Sequence, residues 1–364
     1  MENLRVISAD SHVVEPADLW ETRLDKKFRD QAPRVVRNSQ GKWVLSAPGC
    51  AELGVAGLFA AGKRGAELQE FFKKGYEAAR PGGWDPMERI KDQELDGVLA
   101  EVVYTSNGMP LYSIPDPELQ MACFRTFNDW LAEYCSAAPK RIYGIALISL
   151  ADIGLGIKEL ERCRKMGLRG AMISNDPVIT YESPAYDPFW KAASDLRMPV
   201  SLHIVTTAKA HNAGPPDRVT TMTIRIEHVY QSQRCLAIIL LSGVPERFPA
   251  LQLVSTENDI GWLPYFLYRL DHTYWVADLP PLKPSEYARR QVYATFQDDP
   301  LGVALHNFYG ADNFMWASDY PHTDSTFPES RKAIKENFAS IPAEVTRKIV
   351  YSNVSKLYQL DLDQ

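Results

Sequence analysis

The chain has few cysteines and spreads them widely. Cys50, Cys123, Cys135, Cys163 and Cys235 are odd in number and form no CxxC pair, which argues against a disulfide framework and a thiolate zinc site. No apolar run is long enough to span a bilayer, and no basic segment followed by an apolar core opens the sequence. The expectation is a cytoplasmic protein with no membrane partner. An excess of positive charge is missing too. Lys and Arg number 40 against 46 Asp and Glu, a formal net charge of -6, so nucleic acid is not expected as a partner. No internal repeat, low-complexity block or linker marks off a second domain. A glycine-rich phosphate loop after the first strand is also absent, because "ADSHVVEP" (residues 9–16) is not one.

What is present is a run of buried-strand patterns separated by amphipathic helices. The strands are expected at 5–12, 97–106, 142–150, 168–174, 198–205, 251–257, 291–296 and 314–320. Helical patterns such as "GIKELERCRKMG" and "PFWKAASDLRM" lie between them. Strands that alternate with helices imply parallel βαβ units. Eight of them over 364 residues predict one closed (β/α)₈ TIM barrel rather than an open doubly wound sheet. The gap between the first two strands is too long for one loop. It holds a hairpin pattern, "APRVVRNSQGKWVLSAPG", and then "LGVAGLFAAGKRG". Residues 30–80 are therefore expected to form a cap insertion over the barrel mouth, within a single unit spanning 1–364.

Residues i and i+2 of a strand face the same way. Asp10 and His12 thus point together at the C-terminal end of the first strand, where barrels place catalytic groups. "SLHIV" ends the fifth strand with His203, and "WASDYPH" ends the eighth with Asp319, followed by His322. A lone strand histidine is more often a hydrogen-bonded core residue. A lone acid at a strand end is more often a turn or cap residue. Neither account covers four such residues at three strand ends that a barrel brings together. Asp10, His12, His203 and Asp319 are read as ligands of one divalent metal, Zn²⁺, Mn²⁺ or Fe²⁺, which imidazole nitrogen and carboxylate oxygen suit. Ser8, Ser201 and Ala317, two residues back on the same faces, would leave room beneath it.

The stretches "SADSHVVEPADLW", "WDPMERIKDQELDGV", "PVSLHIV", "GWLPYFLYRLD" and "ASDYPHTDSTFP" resemble the amidohydrolase superfamily, in its aminocarboxymuconate-semialdehyde decarboxylase-like branch. The resemblance implies a distorted barrel with one catalytic divalent metal on Asp10, His12, His203 and Asp319. It also implies that Asp319 handles the reacting proton. Two departures stand out. The usual His-x-His of the first strand is Asp10-Ser11-His12. The histidine that decarboxylases of the branch carry after the sixth barrel strand is replaced within "STENDIGWLP", where Glu257 ends the strand. Glu257 is read as a second metal's ligand or as a base. The fourth strand, "LRGAMIS", ends without the lysine that dinuclear members use.

On the missing histidine, the first functional expectation is a metal-dependent hydrolase of a small cyclic or aromatic molecule, with a metal-activated water and Asp319 as proton carrier. The alternative is a non-oxidative decarboxylase of an aromatic or unsaturated acid, and the third is a non-catalytic binding barrel. His322, Tyr104 and Asn107 are expected to contact the small-molecule substrate. The aromatics of "GWLPYFLYRLDHTYW" read first as packing and second as a pocket rim. His272 reads as a helix-surface residue, and His211, His228 and His306 as structural. A homodimer is compatible with the sequence.

Overall fold

A computed structural model of the chain describes residues 4–209, 218–273 and 280–362. The first strand, β1 (Ile7–His12), is buried along its whole length. The chain then leaves the barrel for a small antiparallel sheet of β2 (Arg34–Arg37), β3 (Trp43–Ser46) and β4 (Leu53–Gly54), ordered β2-β3-β4. Its first turn is built locally. The Asn38 side chain accepts from Gln40 N and Lys42 N at 3.0 and 3.1 Å, and Gly41 sits at φ +74°, where a side chain would be strained.

The barrel resumes with β5 (Ala100–Tyr104), β6 (Ile142–Leu147), β7 (Gly170–Ile173), β8 (Val200–His203), β9 (Leu253–Thr256), β10 (Val292–Phe296) and β11 (Phe314–Trp316). Each of the eight expected strands is found. The last is shorter than its pattern, because residues 317–320 turn away over the mouth. Neighbouring strands pair in parallel in the order β1-β5-β6-β7-β8-β9-β10-β11. The sheet is thus nearly closed. β1 and β11 do not pair as a ladder but are joined where the chain leaves them. Asp319 N donates to Asp10 O at 3.0 Å and His12 N to Tyr320 O at 2.7 Å, and Ser318 N donates to Ser8 Oγ at 2.8 Å.

Helix starts repeat one local device. Asp85, Asp116 and Asp152 cap the helices Pro86–Asp96, Pro117–Ser136 and Ile153–Lys165 by accepting backbone N–H bonds with their side chains. In the first two, proline takes the first helical turn, where no N–H is missed. Gly97, at φ +72°, then ends the first of these helices and turns the chain into β5.

Two further features bear on the mouth. The β1–β5 register gains one residue in β1 between Ser8 and Ser11, a bulge at Ala9–Asp10. The inserted segment is tied to the chain that follows the barrel strands. Ala61 N donates to Pro321 O at 3.0 Å and Thr323 N to Gly57 O at 2.8 Å, while Tyr76 OH donates to Glu15 O at 3.0 Å.

Candidate active site

Asp10, His12, His203 and Asp319 all reach the C-terminal mouth and are fully buried. His12 Nε2 lies 3.6 Å from Asp10 Oδ1, 3.2 Å from Asp319 Oδ1 and 3.8 Å from Glu257 Oε2. His203 Nε2 lies 3.9 Å from Asp10 Oδ1 and 3.2 Å from Glu257 Oε2. Asp10, His12 and His203 therefore come together with Glu257, while Asp319 meets this group through His12. Among the described residues, two overlapping sets bring candidate ligand atoms within 4.8 Å of one another. One is Asp10, His12, His203 and Glu257; the other is His12, Glu257, Asp319 and His322.

Backbone geometry explains how acids from two strand ends reach in. Glu257 and Asp319 both adopt left-handed φ, +57° and +55°, a conformation that costs a non-glycine residue energy and that clusters at functional sites. Glu257 is held there by its N–H, which donates to Thr295 Oγ1 at 2.9 Å. Thr295 Oγ1 in turn donates to Asp10 Oδ2 at 3.2 Å.

The histidine tautomers follow from their outer bonds. His12 Nδ1 donates to Thr105 O at 2.6 Å and His203 Nδ1 to Ile204 O at 2.9 Å. Each ring then turns an unprotonated Nε2 into the cluster, as a metal ligand requires. Burial drives the His12 pKa well below its ordinary value, with His322 and His203 adding to the effect. Burial also takes His203 down to about 4 and His322 to about 3, so all three rings are neutral near pH 7. Burial pushes Asp10 the other way, to about 7.

Asp10 Oδ1, His12 Nε2 and His203 Nε2 are buried without a hydrogen bond. Leaving such atoms unsatisfied is costly. Two neutral imidazoles converging with carboxylates on one point suit a divalent cation, and the residues present fit one.

His322 stacks on His12 with ring centres 3.9 Å apart. Its Nδ1 donates to Asp319 Oδ2 at 3.2 Å, and its Nε2 lies 3.1 Å from Ser106 Oγ. Tyr104 does not stand at the open side, where a substrate would approach. Its hydroxyl meets Ser201 Oγ at 2.9 Å and Tyr358 OH at 3.2 Å, so the two tyrosines fill the space that the small residues leave below the cluster. Asn107 is buried and donates to Tyr76 OH at 2.8 Å. Of the other histidines, His272 is exposed, His228 is half-buried and His306 donates to Val303 O at 2.9 Å. His211 lies outside the described residues. Tyr265 and Tyr268 of the aromatic stretch are exposed on the helix Leu263–Thr273 instead of packed.

Sequence reasoning assigned no role to Glu15, Arg89, Thr295 or Tyr358. The first two lay within the quoted motifs, but nothing in the spacing of "SHVVEP" or "DPMERI" says what they touch.

The family model described as Amidohydrolase matches residues 16–360. The chain is 26% identical over 295 residues to γ-resorcylate decarboxylase of Rhizobium radiobacter, covering 75% of this chain and 86% of that protein. An amidohydrolase structure from Mycobacterium avium subsp. paratuberculosis K-10 superposes with a TM-score of 0.82 at 21% identity, covering 98% and 99% of the two chains. A dihydroxybenzoic acid decarboxylase structure from Polaromonas sp. JS666, with bound manganese and the inhibitor 2-nitroresorcinol, gives a TM-score of 0.63 at 18% identity over 98% and 97%.

These relatives overturn the expectation of a hydrolase, since the characterised names among them are decarboxylases. That expectation leaned on the histidine missing after β9. The structure puts an ionisable group there instead, with Glu257 Oε2 3.2 Å from His203 Nε2. With the family model matched over residues 16–360 and the barrel and mouth in place, the chain belongs to the amidohydrolase family, in its branch resembling aminocarboxymuconate-semialdehyde and γ-resorcylate decarboxylases.

Proposed function

We propose that this protein is a metal-dependent, non-oxidative decarboxylase of an aromatic carboxylic acid. The observation that carries the reading is the similarity to γ-resorcylate decarboxylase over 86% of that protein's length, in a chain whose strand ends assemble a buried acid–histidine cluster. Asp10, His12, His203 and Glu257 would hold one divalent ion. Manganese is favoured by the carboxylate-rich donor set and by its presence in the Polaromonas structure. When bound, the ion acts as a Lewis acid on the oxygens of the substrate.

The protein's own residues then manage one proton. Asp319, entering as the carboxylic acid, gives its proton to the ring carbon that bears the carboxylate and is left as a carboxylate, to be reprotonated from solvent. The carbon–carboxylate bond breaks, its electron pair returns to the ring, and CO₂ leaves. His322 Nδ1, 3.0 Å from Asp319 Oδ1, orients that carboxyl group, and its neutral ring adds no charge. The inserted segment, residues 30–80, acts as the cap of this site within one barrel unit. Its bonds to Pro321, Thr323 and Glu15 support that role.

The test is incubation with Mn²⁺ and a panel of hydroxybenzoic acids, 2,6-dihydroxybenzoate and 5-carboxyvanillate among them, with released CO₂ and the decarboxylated phenol as readouts. Metal-dependent CO₂ release from a member of the panel is expected. Absence of CO₂ across a broad panel of aromatic acids, with metal fully bound, would sink the reading.

A further inference from the structure

Glu15 lies three residues past His12 and is fully buried. Its carboxylate is used up by one loop. Thr105 Oγ1 donates to Oε1, Ser106 N to Oε1 at 3.2 Å and Asn107 N to Oε2 at 2.8 Å. Those three consecutive residues each touch the site or its cover. The Thr105 carbonyl receives His12 Nδ1. The Ser106 hydroxyl meets His322 Nε2. Asn107 Nδ2 donates to Tyr76 OH in the inserted segment, and the same hydroxyl donates to Glu15 O.

We propose that Glu15 is the positioning residue of the site. Its carboxylate locks the loop Thr105–Asn107, and the loop fixes the His12 tautomer, holds the partner of His322 and docks Tyr76. The proposal rests on the metal-centre reading above. The chemistry asks for a carboxylate at this place and no near relative of one. Three donors converge on it, and an ionised carboxyl group accepts at both oxygens. Glutamine would set an NH₂ group against at least one of those donors. The loop would then shift, and the Thr105 carbonyl with it. A histidine ligand whose outer hydrogen bond is disturbed typically loses about 10–100-fold in metal affinity or activity.

The experiment measures the Mn²⁺ dissociation constant by titration of the metal-free protein, followed by the EPR signal of free Mn²⁺, alongside its melting temperature. Glu15→Gln should bind Mn²⁺ about tenfold or more weakly. A purely structural Glu15 predicts a lower melting temperature with Mn²⁺ affinity unchanged, and that outcome overturns the proposal. If Glu15→Gln does not fold, Thr105→Val decides, since it removes the donor to Glu15 and keeps the carbonyl that His12 uses. Weaker Mn²⁺ binding supports the proposal, and wild-type affinity overturns it. His12→Ala separates the two levels of the argument. Mn²⁺ binding that survives this change overturns the metal centre itself. Its loss there, beside wild-type affinity in Glu15→Gln, overturns only the positioning role.

Discussion

Two clusters of buried charge share the end of β1, and they are built on opposite principles. On the mouth side, Asp10, His12 and His203 turn atoms inward that make no hydrogen bond. Behind the strand, Arg89 and Glu101 are just as deeply buried, yet they satisfy each other. Arg89 Nε donates to Glu101 Oε2 at 2.6 Å and Nη2 to Oε1 at 3.1 Å. Gln93 Nε2 adds a bond to Glu101 Oε2 at 2.7 Å, and Arg89 Nη1 donates to His12 O at 2.7 Å. A buried polar group must find a partner or bear the cost of desolvation. The Arg89–Glu101 pair finds its partner within the chain and braces the strand. The mouth cluster brings acids and neutral imidazoles together, a donor set that a divalent cation from outside the chain would satisfy. Burial alone therefore does not distinguish a site from a brace; the bookkeeping of bonds does.

The comparison breaks most easily at the metal. Chelation should abolish CO₂ release, and Mn²⁺ should restore it. Mn²⁺ at about a hundred times its dissociation constant should also stabilise the wild type by about 2.7 kcal/mol. Calorimetry with and without Mn²⁺ checks this, and His203→Ala should show neither effect. A Mn²⁺-induced rise in that variant would remove His203 from the ligands.

On the brace side, Arg89→Met leaves Glu101 buried without its cation, with Gln93 as its remaining donor. It should cost about 3–5 kcal/mol in urea unfolding of the chelated protein. Arg89→Met with Glu101→Leu should regain much of that loss. A single variant with wild-type stability would show that the pair braces nothing.

The proton carrier gives a finer contrast. Asp319→Asn at matched metal occupancy should lower kcat by about 10² or more, because an amide carries no proton in this range. Glu257→Gln should chiefly weaken metal binding. The reverse pattern would exchange the two roles.

The smallest effect is a slope. Asp96 accepts from Ser330 N and Ser330 Oγ, and burial raises its pKa from 3.8 to about 6. The folded form therefore holds the proton more tightly than the unfolded form. Stability from this group is full below about pH 4 and falls as pH rises towards 6. Chelated wild type and Asp96→Asn, compared by urea unfolding across pH 4–7, should differ in slope over that window. Parallel curves would remove Asp96 from the linkage.

Local chemistry was legible in the residues themselves. The eight barrel strands could be read because buried parallel strands are continuous apolar runs, and the hairpin at Asn38–Gly41 because turn residues announce themselves. Asp10 and His12 could be paired because a two-residue repeat is a property of any strand. Their convergence with His203 and Asp319 followed once a barrel was assumed. What stayed hidden was each contact made between segments far apart in the chain. Nothing near Glu257 in sequence shows that its left-handed backbone brings the carboxylate to His203. Nothing near Tyr104 shows that Tyr358 meets it inside the barrel, below the site. Arg89 and Glu15 look alike on paper as charged residues beside apolar ones. Only the tertiary structure decided that one is paired to a buried acid and the other to a loop that touches the site. A residue's intrinsic propensity acts within a few neighbours, whereas the partner that satisfies a buried charge is chosen by how the whole chain packs.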